Sequence, residues 1–237
     1  MWNKIGALSA CGLLSAILCS APANAAVVVY SGYDISAQNL NTKPNADAAH
    51  NAYRAAIAGL SDTFTASFEG APVGGLTSFD LGGGATMTGA ANGGAPQVFR
   101  NALQCQYALC GGNTTVGGNT YLGIVGGTVT FTFLKPIQAF GAYFTGAQLP
   151  GMTLTFDDGS AQAIDVPGFF GADYVGFTDF GRSISKVTFN AKSDIMAIDD
   201  VTFTLSSAPE PATWALVIAG FGLAGCALRA RRQVLAA

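Results

Sequence analysis

Apolar and polar positions follow different rules in different parts of the chain. Ile5 to Leu18 and Ala212 to Leu228 are runs without a charged residue. Between them the pattern shortens to alternation. Thr128-Val129-Thr130-Phe131-Thr132-Phe133 sets Val129, Phe131 and Phe133 on one face and three threonines on the other, the period of a strand with one side buried. Similar segments predict strands over Ala26–Tyr30, Thr63–Phe68, Ile137–Phe144, Met152–Phe156, Ala161–Val166, Ile184–Phe189 and Ile195–Leu205. Phe140 and Phe144 are packing residues of the third, with Gly141 between them allowing close backbone approach. Asp157-Asp158-Gly159-Ser160 reads as a hairpin turn. A single helix is expected over about residues 46–58, where alanine dominates, with Asn45 as its N-cap and Gly59 ending it. From Gly82 to Gly118 glycines and small residues blur the period, and only short strands and turns are expected. Many short strands and little helix predict an all-β fold, an antiparallel β-sandwich of jelly-roll type, with a barrel as the other closure.

The two unbroken apolar runs are topogenic. Lys4, the run after it, and Ala23-Asn24-Ala25 have the order of a signal peptide cut by signal peptidase between Ala25 and Ala26. Cys11 follows lipobox-like residues, but most of the apolar run lies after it, so a lipoprotein reading fails on position. At the other end, seventeen apolar residues from Ala212 to Leu228 meet Arg229, Arg231 and Arg232. That is the lower limit for a transmembrane helix, and the arginines favour the cytoplasmic side. The expected organisation is a signal peptide at 1–25, one exported domain at 26–208, and a C-terminal segment at 209–237 holding the inner-membrane helix 212–228 and a basic tail.

Charge and cysteine use narrow the classes. Residues 26–208 hold seven basic and thirteen acidic side chains, a net charge of about −6 that argues against a nucleic-acid partner. Cys105 and Cys110 are the exported domain's two cysteines, and in an oxidising compartment they are expected to close a short disulfide loop. A zinc site lacks further ligands, since the single histidine, His50, lies on the predicted helix. The same isolation of His50, with no nucleophile or metalloprotease motif near it, argues against a histidine-based hydrolase.

Pro209-Glu210-Pro211, Trp214-Ala215, the apolar run and the arginine stop, in that order, closely resemble the PEP-CTERM sorting signal in the variant that continues to Trp-Ala. The resemblance covers about the last 25 residues. It implies a Gram-negative host, export, recognition of Pro209, Glu210, Pro211, Trp214 and Ala215 by an exosortase, and residence at the cell surface or in an exopolysaccharide-rich biofilm matrix. Two prolines keep the segment extended, as a protease groove requires.

Phe68-Glu69-Gly70, Phe140 to Gly146 and Ala197 to Phe203 are similar to segments of exported jelly-roll domains. In such folds a carboxylate on the closing strand often helps hold structural calcium, which makes Asp199 and Glu69 candidate ligands. Asp199 capping loop amides is the alternative. The expected function is a non-catalytic surface or matrix protein. A calcium-assisted carbohydrate-binding module, stacking sugars on Tyr143, Phe169, Phe170 or Tyr174, and a glycan-active hydrolase using paired acids are the other readings the residues leave open. No resident cofactor is expected beyond that ion.

Overall fold

The computed structural model describes residues 27–35, 42–90, 97–100, 104–106, 109–112, 114–146, 151–156, 158–165, 171–178, 183–206 and 217–225. In chain order the elements are β1 (Val28–Ile35), α1 (Pro44–Ile57), β2 (Thr63–Ala66), β3 (Gly74–Gly75), β4 (Ser78–Gly82), β5 (Ala85–Ala90) and β6 (Gln97–Arg100). They continue with β7 (Gln104–Gln106), β8 (Leu109–Gly111), β9 (Thr120–Thr145), β10 (Gly151–Phe156), β11 (Ala161–Asp165), β12 (Gly171–Thr178) and β13 (Ile184–Leu205). The expected signal peptide and its Ala25/Ala26 junction lie outside the described residues.

The expected all-β antiparallel sandwich is present, built around two long strands. Four of the expected strands are halves of two: β9 continues through Leu134-Lys135-Pro136, and β13 joins Ile184–Phe189 to Ile195–Leu205. Each takes part in both layers. The first half of β9 pairs with β5 and β6 and, across Thr128–Thr132, with Lys186–Asn190 of β13. Its second half pairs with β12 and with the end of β13, where Phe203 meets Phe140. Residue numbers rise along β13 as they fall along β9 in both stretches, so the pairing is antiparallel throughout. Outer strands complete the curled sheet: β10 and β11 beside the start of β13, β2 beside its end, and β1 beyond β12.

Folding the halves over one another brings their rings together. Phe131 lies 5.2 Å from Phe140, Phe144 4.6 Å from Phe189 and Phe133 5.2 Å from Phe203, between ring centroids. All of these rings are buried, and such pairs add about 0.5–1.5 kcal/mol each beyond the area they remove from water.

A second core lies outside the sheet, where α1 covers β1 and β12. It contains Ala46, Tyr53, Ile57, Ala139, Tyr143 and Tyr174. The helix starts at Pro44, two residues before its expected beginning, because proline supplies a ready φ at the first turn and loses no needed donor there. Asn45 does not cap it. Asp34 of β1 does: its Oδ1 accepts from Asn45 N at 3.2 Å and its Oδ2 from Ala46 N at 2.9 Å. The Asn45 amide instead donates to Tyr33 O and Asp34 Oδ1.

Strand β12 has no counterpart among the sequence expectations. Seven of its eight residues are buried, from Ala172 to Thr178, since the opposite layer covers one face and α1 the other. A strand covered on both sides has no reason to alternate. Its glycine Gly176 sits opposite Gly141 of β9. A Cβ at Gly141 would come 2.2 Å from Tyr174 Oη, and one at Gly176 2.9 Å from Tyr53 Cδ2. The glycine pair is therefore a notch that the two tyrosines fill. The hairpin turn is as expected: Gly159 has φ +82° and Asp158 Oδ1 accepts from Ser160 N at 2.9 Å.

Candidate functional site

Three acidic side chains of the sandwich, Glu69, Asp199 and Asp200, hold a loop. Asp200 adopts φ +48°, which an aspartate tolerates better than most residues, and a bulge forms there: Asp199 to Thr202 on β13 faces only Tyr143 to Gly141 on β9. The bulge directs Asp199 at the segment leading into β9. Asp199 Oδ2 accepts from Thr114 N at 2.7 Å and Thr115 N at 3.1 Å, and its Oδ1 from Asp200 N at 2.9 Å. Thr115 Oγ1 donates to Asp200 Oδ1 at 2.7 Å.

Glu69 fastens the same loop further along, its Oε1 accepting from Asn119 N at 2.7 Å and Thr120 N at 2.9 Å. Gly112 is held by Thr145 through Gly112 N to Thr145 Oγ1, 2.8 Å. The two proposed ion ligands thus serve one loop, each as an acceptor of backbone amides, the alternative use of Asp199 that the sequence left open. Among the described residues no three His, Cys, Asp or Glu side chains gather as a metal cluster.

Burial pushes the Asp199 carboxyl up to about 7, with the neighbouring Asp200 charge adding to the rise and the Thr114, Asp200 and Thr115 amides opposing it. The loop begins just after β7 and β8, whose register sets Cys105 directly opposite Cys110. Direct cross-strand partners lie within the Cα separation a disulfide spans.

The two described aromatic candidates, Tyr143 and Tyr174, do not form a sugar platform. Tyr143 is 4% exposed and Tyr174 0%, so neither offers a solvent-facing ring; Phe169 and Phe170 lie outside the described residues. Tyr143 Oη donates to Asp47 Oδ1 at 2.8 Å, and the Lys43 ammonium lies 4.9 Å from its ring centroid. Burial drives both phenols well above their usual range. His50 is half-buried and turned inward, with ring centroids 5.2 Å from Tyr143 and 5.0 Å from Tyr174. Burial, then Arg54, lowers its pKa. A surface position for this histidine is the natural expectation from an alanine-rich helix, and the tyrosines that draw it inward come from distant strands.

An aromatic that sequence reasoning missed, Tyr33, is 39% exposed beside an open groove of about 710 Å³ between β1 and α1. Ser31, Asp34, Asn45 and Ala48 also line it.

At the carboxyl end, residues 217–225 are helical and exposed. Among the described residues no helix is long and apolar enough to cross a membrane. The rest of the expected span, 212–216 and 226–228, lies outside them, as do Pro209, Glu210, Pro211, Trp214 and Ala215.

The chain is thus a β-sandwich joined at its last strand to an export element. Residues 207–232 match the PEP-CTERM protein-sorting motif, so the chain carries the signal for exosortase processing and surface sorting. No curated protein matches it. Among solved structures, the chain is similar to the enzymatically active domain of bacteriophage CBA120 tailspike protein 4, with 15% identity, TM-score 0.33, and 52% of this chain and 19% of that one covered. It is also similar to TmCBM61 in complex with β-1,4-galactotriose, with 14% identity, TM-score 0.35, and 58% and 94% covered. A family 29 carbohydrate-binding module complexed with cellulohexaose gives 9% identity, TM-score 0.32, and 62% and 94% covered. None of these likenesses bears on what this chain binds.

Proposed function

We propose that this protein is a non-catalytic component of the cell surface or extracellular matrix, released from or attached beyond the inner membrane by exosortase processing. The observation that carries the reading is the sorting motif at 207–232, which begins two residues after β13 ends at Leu205. The described acidic groups support it, because Asp34, Glu69, Asp158 and Asp199 serve as acceptors for backbone amides. Such a use by these four carboxylates builds structure.

Intact-mass measurement of the exported protein, from cells with and without an exosortase, tests this directly. The tail should be lost in the first and retained to Ala237 in the second. Replacing Pro209, Glu210 and Pro211 together by alanine should reproduce the second result; a tail removed regardless of both changes would refute the sorting reading.

The groove beside Tyr33 favours a second reading, a module that binds the matrix exopolysaccharide. A half-exposed ring flanked by hydroxyl, carboxylate and amide groups is the chemistry a sugar face needs. In affinity electrophoresis through the host's exopolysaccharide, Tyr33→Ala should abolish retardation; equal retardation of both proteins would remove this reading.

A further inference from the structure

Both ends of the exported domain leave the sandwich on the same side. Val28 of β1 pairs with Thr178 of β12, Thr178 with Ala139 of β9, and Ala139 with Thr204 of β13. The first and last strands therefore begin and end in one row of four adjacent strands, about 14 Å wide at the usual strand spacing. Hydrogen bonds fix the exit. Ser206 N donates to Pro136 O at 2.7 Å, Leu205 N to Asp62 O at 3.1 Å and Leu134 N to Gly84 O at 2.9 Å.

Only residues 206–211 separate β13 from the apolar run at Ala212, at most about 20 Å of extended chain. The signal peptide junction lies as close to β1. A domain held this tightly beside a bilayer has little freedom to turn another side toward it.

The exit side also carries apolar surface. Leu134, at the bend of β9, is 86% exposed, and Val28 and Val29 are 50% and 42% exposed. Lys135 and Asp62 are exposed beside them, and so are Asp80 next to the β4–β5 turn and Asp158 in the β10–β11 turn, which the strand registers bring to the same end. Charge therefore does not draw this end to anionic headgroups, and insertion of the apolar side chains has to make the contact.

We infer that, while the chain is anchored, this end of the sandwich rests on the lipid headgroups, with Leu134, Val28 and Val29 dipping into the interface. The inference relies on the anchored intermediate of the proposed function. The opposite end supplies a control within the same molecule: Val116, in the loop held by Asp199 and Glu69, is 97% exposed and stands at the far end of β9.

The test exports the full chain in a Gram-negative host lacking an exosortase. Leu134→Cys, Val29→Cys and Val116→Cys are each reacted with an impermeant maleimide on spheroplasts, above the background of the unsubstituted chain. Each rate is divided by the rate for the same variant in detergent. The expected result is a several-fold lower ratio at positions 134 and 29 than at 116. Equal ratios in a chain that sediments with membranes would overturn the docked face alone. A chain that stays in the soluble fraction would overturn the anchored intermediate and the docked face with it.

Discussion

Replacing Gly141 by alanine adds one methyl group to a strand already covered on both sides. Its Cβ would stand 2.2 Å from Tyr174 Oη, 2.9 Å from Tyr174 Cζ and 3.3 Å from Gly176 Cα. Tyr174 has nowhere to retreat. Its ring is fully buried, with centroids 5.8 Å from Tyr53, 5.0 Å from Tyr143 and 5.0 Å from His50. The clash must therefore pass outward and loosen α1 from β12. Overpacking of this kind costs about 1–3 kcal/mol, occasionally more.

A second substitution separates this cause from a general loss of strand quality. The Tyr174 hydroxyl is buried with no hydrogen-bond partner among the described residues, so Tyr174→Phe removes the closest clashing atom and a polar group whose burial is unfavourable. Alone it should be neutral or stabilising by up to about 1–3 kcal/mol. Combined with Gly141→Ala it should restore part of the lost stability, giving a coupling energy on the order of 1 kcal/mol or more. Urea unfolding of the four proteins, followed by near-ultraviolet circular dichroism of the tyrosines, measures the cycle. Additive effects, or a Gly141→Ala protein as stable as the parent, would refute the notch as the means by which the helix docks.

Other expectations follow from the loop clamp and the hairpin. Because the Asp199 carboxyl is pushed up to about 7 from its ordinary 3.8, its stabilising contribution is full below pH 4 and is lost as pH rises through 7. The change is on the order of 3–4 kcal/mol, and urea titrations of the parent between pH 4 and 8 should show a loss that Asp199→Asn flattens; identical slopes would contradict it. A melting temperature unchanged by chelator is expected if Asp199 and Glu69 only hold amides, whereas a rise of several degrees on adding calcium would place an ion there. Exported protein should run about 2 Da lighter before reduction than after it, from a Cys105–Cys110 bond worth about 2 kcal/mol for so short a loop; equal masses would exclude the bond.

What could be read from the sequence was what local chemistry decides. Alternating Val129, Phe131 and Phe133 announced a strand with one buried face, and these side chains are buried. Gly159 announced its turn. Pro44 could have placed the start of α1, but Asn45 drew the boundary inward, since the capping group comes from Asp34, eleven residues earlier. Strand β12 stayed hidden because a segment buried on both sides, with Gly176 serving a tyrosine on its own strand and one on a helix, gives no period to read. Tyr143 and Tyr174 looked like surface aromatics for the same reason: what covers them is α1, more than 80 residues away in the chain. Asp199 was legible as a carboxylate needing partners, and only the fold showed the partners to be the Thr114 and Thr115 amides.

The two ends of the domain will also answer a pull differently. Force entering through the tail passes along β13, which is flanked by β2 on one side and β9 on the other, so many rungs share the load in shear. Force entering at the front meets β1, which among the described residues is bonded on one side alone, to β12, where rungs can open one after another. A protein of this shape fastened to a matrix by its tail would be gripped at its mechanically stronger end.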